Sequence, residues 1–222
     1  MNWNLVFDGL IGYLCLLILL TFHEAAHAWT AWKCGDDTAY REGRVSLNPV
    51  VHMDMLGTVI LPLAVVLLGA AGSGLGRFII GWGKPVPVYL GNLRKPRLQD
   101  TLIAVAGPAM NLILAVALMF LARVFVSAEM SQMAYVVVRM SQISLLLCFF
   151  NLLPIPPLDG SHVLKNFIGM SDETYIRISQ FGFIIVIVLI QLPLVSAIIN
   201  YSTGLTFMMI ERLVGLRLVG MA

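Results

Sequence analysis

The chain has 222 residues, of which 59% are hydrophobic and 12% charged, and its formal net charge is +2. A soluble domain carries about a quarter charged residues, so this composition excludes an ordinary soluble fold; at roughly 20 apolar residues per bilayer crossing there is room for about five helices. The small, scattered positive charge excludes a nucleic-acid surface, and Cys15, Cys34 and Cys148 are too few and too far apart for a disulfide framework or a metal knuckle.

The first apolar segment runs from about Leu5 to Trp32. It lacks a basic leader and a small-residue cleavage site, and reads as a retained membrane helix rather than a signal peptide. Lys33-Cys34-Gly35-Asp36-Asp37 stops it, and a polar connection through Arg41, Arg44 and Asn48-Pro49 follows. Met55 to Ala71 is apolar but short for a span, and Pro62 interrupts it. From Phe78 to Val88 the chain carries Gly81, Gly83, Lys84, Pro85 and Pro87; prolines at alternate positions predict an extended edge strand. Leu102 to Val126, Met133 to Leu153 and Ile176 to Ile199 read as three long apolar helices, the last kinked or ended by Pro193. The tail from Gly204 to Ala222 reads as an interfacial helix or a last short span. The expected fold is an all-α polytopic membrane protein of about five transmembrane helices, with a re-entrant segment and a short β edge element. It forms a single domain over 1–222, with a core over about 5–165 and C-terminal helices over 174–222.

His23-Glu24-Ala25-Ala26-His27 is an HExxH pattern near the end of the first helix. Residues four apart lie about 40° apart around a helix, so both imidazoles point to one side and can grip one ion. Zinc in a reactive site takes three protein ligands and leaves a position for water; Glu24, beside the first ligand, is placed to take that water's proton. The bland alternative is a solvated helix face. It is disfavoured within an apolar helix, where each charged group costs about 2.5–3.5 kcal/mol and a bound dication offsets that cost. A third ligand must come from elsewhere, and Asp159 is the best candidate. It follows Asn151-Leu152-Leu153-Pro154-Ile155-Pro156-Pro157-Leu158, where prolines break a long apolar helix. The alternative there is an aspartate in an ordinary helix-terminating turn.

HExxH in an early membrane helix together with NxxPxPxLDG closing a later one resembles the site-2 protease family of intramembrane metalloproteases. Gly43 to Pro49 with His52, Asp54 and Gly57-Thr58, then Gly81 to Val88, then Ala106-Gly107-Pro108-Ala109-Met110-Asn111, are similar to the small prokaryotic branch without appended regulatory domains. The resemblance implies one zinc ion per chain held by His23, His27 and Asp159, with Glu24 activating water and Asn151 holding substrate or the oxyanion. It further implies hydrolysis of membrane-spanning protein substrates within or beside the lipid bilayer. His162, where family members commonly carry a small or basic residue, and His52, in the polar connection, are possible supports behind the metal ligands or plain surface and interfacial histidines. A metal or proton transporter would also bury His, Glu and Asp, but gives no reason for glutamate within the HExxH spacing. The intact ligand set argues against an inactive scaffold.

The two motifs end helices that must run in the same direction if they are to meet, so the 55–88 region should turn back rather than cross. Positive charge agrees: the segments 33–99 and 160–177 hold ten of the 14 Lys and Arg residues. Positive-inside placement then puts the site near the cytoplasmic face of the cell membrane and the N-terminus outside.

Overall fold

The computed structural model describes residues 3–71 and 81–216, and the chain groups into two compact units, Met1–Tyr89 and Leu90–Ala222. In the first, α1 (Trp3–Lys33) is one continuous helix. Its buried stripe runs through Cys15, Leu16, Leu19 and Leu20 to His23, Ala26, His27 and Ala31, the spacing of one helix face. Gly9 lets α1 lie close to α3 (Leu61–Ala70), since a Cβ there would stand 2.9 Å from Val66 Cγ1.

Beyond α1, Gly35 turns the chain at φ +104°. The buried Asp36 carboxylate then accepts the Thr38 N–H at 3.2 Å and the Tyr89 N–H at 2.7 Å, tying the loop to the far end of the unit. A single turn of helix, α2 (Thr38–Arg41), is followed by a 3-10 turn, Pro49–His52, capped by Asn48. Asp54 Oδ1 accepts the N–H groups of Leu56 and Gly57 at 3.0 and 2.7 Å. These bonds start a wide π-type turn, Met55–Ile60, that feeds α3. Pro62 is the second residue of α3, inside the continuous apolar helical run Met55–Gly69.

The apolar helix Met55–Gly69 is too short to cross a bilayer, and the chain comes back to where that segment began. Trp82 N–H donates to the Gly57 carbonyl at 3.2 Å, the Thr58 hydroxyl to the Trp82 carbonyl at 2.7 Å, and Lys84 N–H to the His52 carbonyl at 2.8 Å. A side chain at Gly57 would overlap the Trp82 ring, at 2.4 Å, so only glycine allows this closure. The expected edge strand over 78–88 is not formed. Residues 78–80 lie outside the described residues, and 81–89 carry no regular secondary structure; no strand occurs among the described residues. Pro85 and Pro87 contribute no donors, and the Lys84 and Pro85 carbonyls accept from the Arg44 guanidinium.

The second unit opens with a 3-10 turn, Leu90–Asn92, and the helical hairpin of α4 (Pro96–Ser127) and α5 (Ser131–Asn151). Small residues let the two approach: Ser141 Oγ donates to the Ala115 carbonyl at 3.0 Å and Ser144 Oγ to the Asn111 carbonyl at 2.7 Å. Around them Met119, Ala122, Val138 and Leu145 pack with Ile210 and Val214 of α9 (Pro193–Val214). Between α5 and α9 come α6 (Asp159–Ile168), α7 (Asp172–Ser179) and α8 (Gly182–Ile190). The single helix expected over Ile176–Ile199 is therefore divided, with a 61° bend between α7 and α8. Gly182 packs on the proline loop, where a Cβ would stand 2.6 Å from the Pro156 carbonyl oxygen, and α8 ends at Ile190 before Pro193, which begins α9, so the helix is ended there rather than kinked. The expected tail element over 204–222 is, as far as Val214, the end of α9, while 217–222 lie outside the described residues. Among the described residues four helices are long and apolar enough to cross a membrane, or five if α7 and α8 make one broken span, which agrees with about five expected.

Candidate active site

The two histidines of the HExxH pattern are both buried in the wall of α1. Their Nε2 atoms stand 3.0 Å apart, with the rings edge to face at 82°. Two nitrogen ligands at about 2.0–2.1 Å on a tetrahedral zinc stand about 3.3 Å apart. The imidazole pair thus has very nearly the spread that one shared cation requires, and the donor set suits zinc.

Glu24, half-buried, lies against the returning backbone: a Cβ on Gly83 would be 3.0 Å from Glu24 Oε1 and 3.3 Å from the carboxyl carbon. The glycine is what lets the carboxylate rest on the main chain. Behind that wall Arg44, 1% exposed, donates from Nη1 to the Pro85 carbonyl at 3.1 Å and from Nη2 to the Lys84 carbonyl at 2.5 Å. Burial lowers its pKa, opposed by the Glu24 and Glu42 carboxylates; a guanidinium in a protein nonetheless keeps its proton.

His52 is buried, and its Nε2 donates to the Ser46 carbonyl at 2.8 Å. A carbonyl only accepts, so the proton is on Nε2 and Nδ1 carries the lone pair. Burial first, then the positive charge of Arg44, lowers the His52 pKa, while the Ser46 bond and Glu24 raise it. The net direction keeps the ring neutral at pH 7.

In the second unit, α5 ends at Asn151, whose Nδ2 donates back to the Leu147 carbonyl at 3.0 Å. The proline loop then curls over the end of α5 and delivers Asp159 as the first residue of α6, with Leu158 extended at φ −74°, ψ 155°. Gly160 makes this possible: a Cβ there would lie 2.2 Å from the Leu152 carbonyl oxygen and 2.6 Å from that of Leu153.

Helix α6 is held to α4 by a polar cluster. The buried Asp100 carboxylate accepts Asn166 Nδ2 at 2.8 Å and faces His162 Nδ1 at 3.2 Å and Lys165 Nζ at 3.8 Å. Lys165, also buried, reaches Asp172 at 2.6 Å and lies over the Tyr175 ring. The Tyr175 hydroxyl meets Ser161 Oγ at 2.8 Å. His162 is thus part of the fastening of α6. Sequence reasoning assigns Arg44, Gly83 and Asp100 no role; the available signal was charge beside apolar segments, where an uncompensated group is costly. The Thr21 and Ser144 hydroxyls donate to the Leu17 and Asn111 carbonyls.

The chain matches the family described as Peptidase family M50 over residues 11–135 and 126–192. It is 34% identical over 201 residues to a Bacillus subtilis protein named "Putative zinc metalloprotease YwhC", covering 86% of this chain and 85% of that one. It is 32% identical over 190 residues to "Putative zinc metalloprotease Rip2" of Mycolicibacterium smegmatis (85% and 67% covered), and 28% identical over 179 residues to the Mycobacterium tuberculosis protein of the same name (80% and 65%). No solved structure matches.

Proposed function

The chain belongs to Peptidase family M50, the site-2 proteases, and from that premise we propose that it is an active intramembrane zinc metalloprotease, hydrolysing peptide bonds of membrane-spanning protein substrates. The observation that carries the reading is the pair of buried imidazoles with Nε2 atoms 3.0 Å apart, and a carboxylate one residue from the first. In this proposal His23, His27 and Asp159 hold one zinc ion, and the two units work as a single protease domain. When bound, the metal supplies Lewis acidity that polarises the scissile carbonyl and makes water a competent nucleophile at neutral pH. Glu24 takes the proton of that water as its oxygen bonds to the carbonyl carbon, and then delivers the proton to the departing amine as the C–N bond breaks. The negative charge that develops on the carbonyl oxygen needs a further donor, and the second hydrogen of the Asn151 amide suits that role. His52 and His162 stay outside the ligand set.

The chain is a multi-pass membrane protein. Its proposed membrane is the cell membrane, with the site near the cytoplasmic face and the N-terminus outside, on the strength of the basic residues between α1 and α4. Single cysteines at Lys95 and Glu129 test this: labelling of position 95 only from the cytoplasm and of 129 only from outside is expected, and the reverse would refute it.

Glu24→Gln tests the reaction. The variant should retain one zinc ion per chain and lose cleavage of a membrane-embedded substrate in proteoliposomes. Persistent cleavage would remove Glu24 from the role of base. Asp159→Ala should lose or greatly weaken zinc binding, and full retention would take that residue out of the site.

A further inference from the structure

The bond network around the irregular segment 82–89 contains one feature that the reaction above does not use. Arg44 has one of the most completely buried large side chains among the described residues. Burying a guanidinium is costly unless its donors are taken and its charge is answered. The charge is answered and two of the three nitrogens are bonded, while Nε has no hydrogen-bond partner among the described residues. Two of its nitrogens reach the consecutive carbonyls of Lys84 and Pro85, 40 and 41 residues along the chain. The negative charge that answers it comes from Glu24 and Glu42.

We propose that Arg44 is a positioning residue for Glu24. Its planar fork holds the Gly83–Pro85 backbone as a fixed wall against which the Glu24 carboxylate is set. The geometry gives three reasons. The segment cannot fix itself, because Pro85 and Pro87 offer no N–H and no strand lies beside it among the described residues. Its other ties, Trp82 to Gly57 and Thr58, Lys84 to His52 and Tyr89 to Asp36, leave the Lys84 and Pro85 carbonyls to Arg44. And the residue before the clamped pair is the glycine in contact with Glu24, at 3.0 Å from a would-be Cβ to Oε1. Lysine cannot replace the arginine here, since an ammonium is a point charge and does not span two carbonyls in fixed geometry.

The inference rests on the proteolytic reading, so its test needs a readout that does not depend on cleavage. Full-length wild type and Arg44→Lys are compared in detergent micelles by hydrogen–deuterium exchange at residues 83–89, by zinc content, and by kcat and KM for a membrane-embedded substrate. The expected result is faster exchange confined to 83–89, one zinc ion per chain in both, KM within about threefold, and kcat lowered about 10- to 100-fold, the scale of a misplacement near 1 Å. Unchanged exchange, or faster exchange with wild-type kcat, would overturn the proposal. Should Arg44→Lys not fold, Gly83→Ala presses on Glu24 from the same wall while leaving Arg44 in place, and must lower kcat with zinc retained; wild-type kcat in that variant overturns the proposal equally. Wild type that cleaves nothing would overturn the protease reading and this inference with it, whereas cleavage by wild type and Arg44→Lys alike overturns the inference alone.

Discussion

Replacing Gly160 by alanine isolates the step by which the proline loop presents Asp159. A Cβ at this position would stand 2.2 Å from the Leu152 carbonyl oxygen, 2.5 Å from its carbonyl carbon and 2.6 Å from the Leu153 oxygen, all backbone atoms that cannot swing aside. Restoring even a 3.0 Å contact moves the start of α6 away from the end of α5 by about 0.8 Å, the difference between 3.0 and 2.2. Overpacking of this kind costs about 1–3 kcal/mol, and alanine in a helix returns about 0.5–1 kcal/mol relative to glycine. The net loss should be about 0.5–2 kcal/mol, a fall of a few degrees in Tm for a chain of this size. The effect on the site should be much larger, because ligand distances are held within about 0.2 Å and Asp159, the proposed third ligand, is the neighbouring residue. Zinc affinity should drop at least about 10-fold, the scale seen when support of a ligand is lost. Competition titration with a zinc chelator, alongside thermal unfolding, reads both numbers. Gly204→Ala is the control, since a Cβ there meets nothing within 4 Å inside α9 and should be neutral or slightly stabilising. Zinc affinity within twofold of wild type in Gly160→Ala would refute the reasoning.

Asp100→Ala removes the acceptor shared by Asn166, His162 and Lys165, and leaves Lys165 buried with Asp172 as its remaining carboxylate. Breaking a buried pair costs about 3–5 kcal/mol; the Asp172 bond places the expectation at the low end, and denaturant unfolding showing under 1 kcal/mol would reject it. His52 has a lowered pKa in the folded chain, so the unfolded chain binds the extra proton first as pH falls. The stability it supports is fully present above the unfolded value near 6.5 and is lost as pH drops from there through the folded pKa. Between pH 7 and 5 the wild-type Tm should therefore fall more than that of His52→Gln, whose side chain does not titrate; parallel curves would contradict the assignment of a buried neutral ring.

The membrane class, the long helices and the HExxH pattern were legible in the sequence because each depends on local information. Apolar length sets a span, and a four-residue spacing sets which side chains share a helix face. The turn-back of the 55–88 region was also expected, since Met55–Gly69 is too short to cross. What closes it, the Trp82, Thr58 and Lys84 bonds, joins residues more than twenty positions apart. The prolines of 81–89 implied an edge strand, and the segment instead has no regular secondary structure. Only the fold shows that a buried arginine takes the Lys84 and Pro85 carbonyls, and that no strand pairs with this segment among the described residues. The helix expected over 176–199 is divided after Ser179, next to the polar Arg177, Ser179 and Gln180, where Gly182 packs on the loop around Pro156, 26 residues earlier, and again before Pro193. The sequence by itself thus determined the chemistry available, two imidazoles and a carboxylate on one turn of an apolar helix. Tertiary structure decided what holds that carboxylate, through Gly83 and Arg44, and what fastens the helix that begins with Asp159, through Asp100, because close packing and charge burial are properties of residues far apart in the chain.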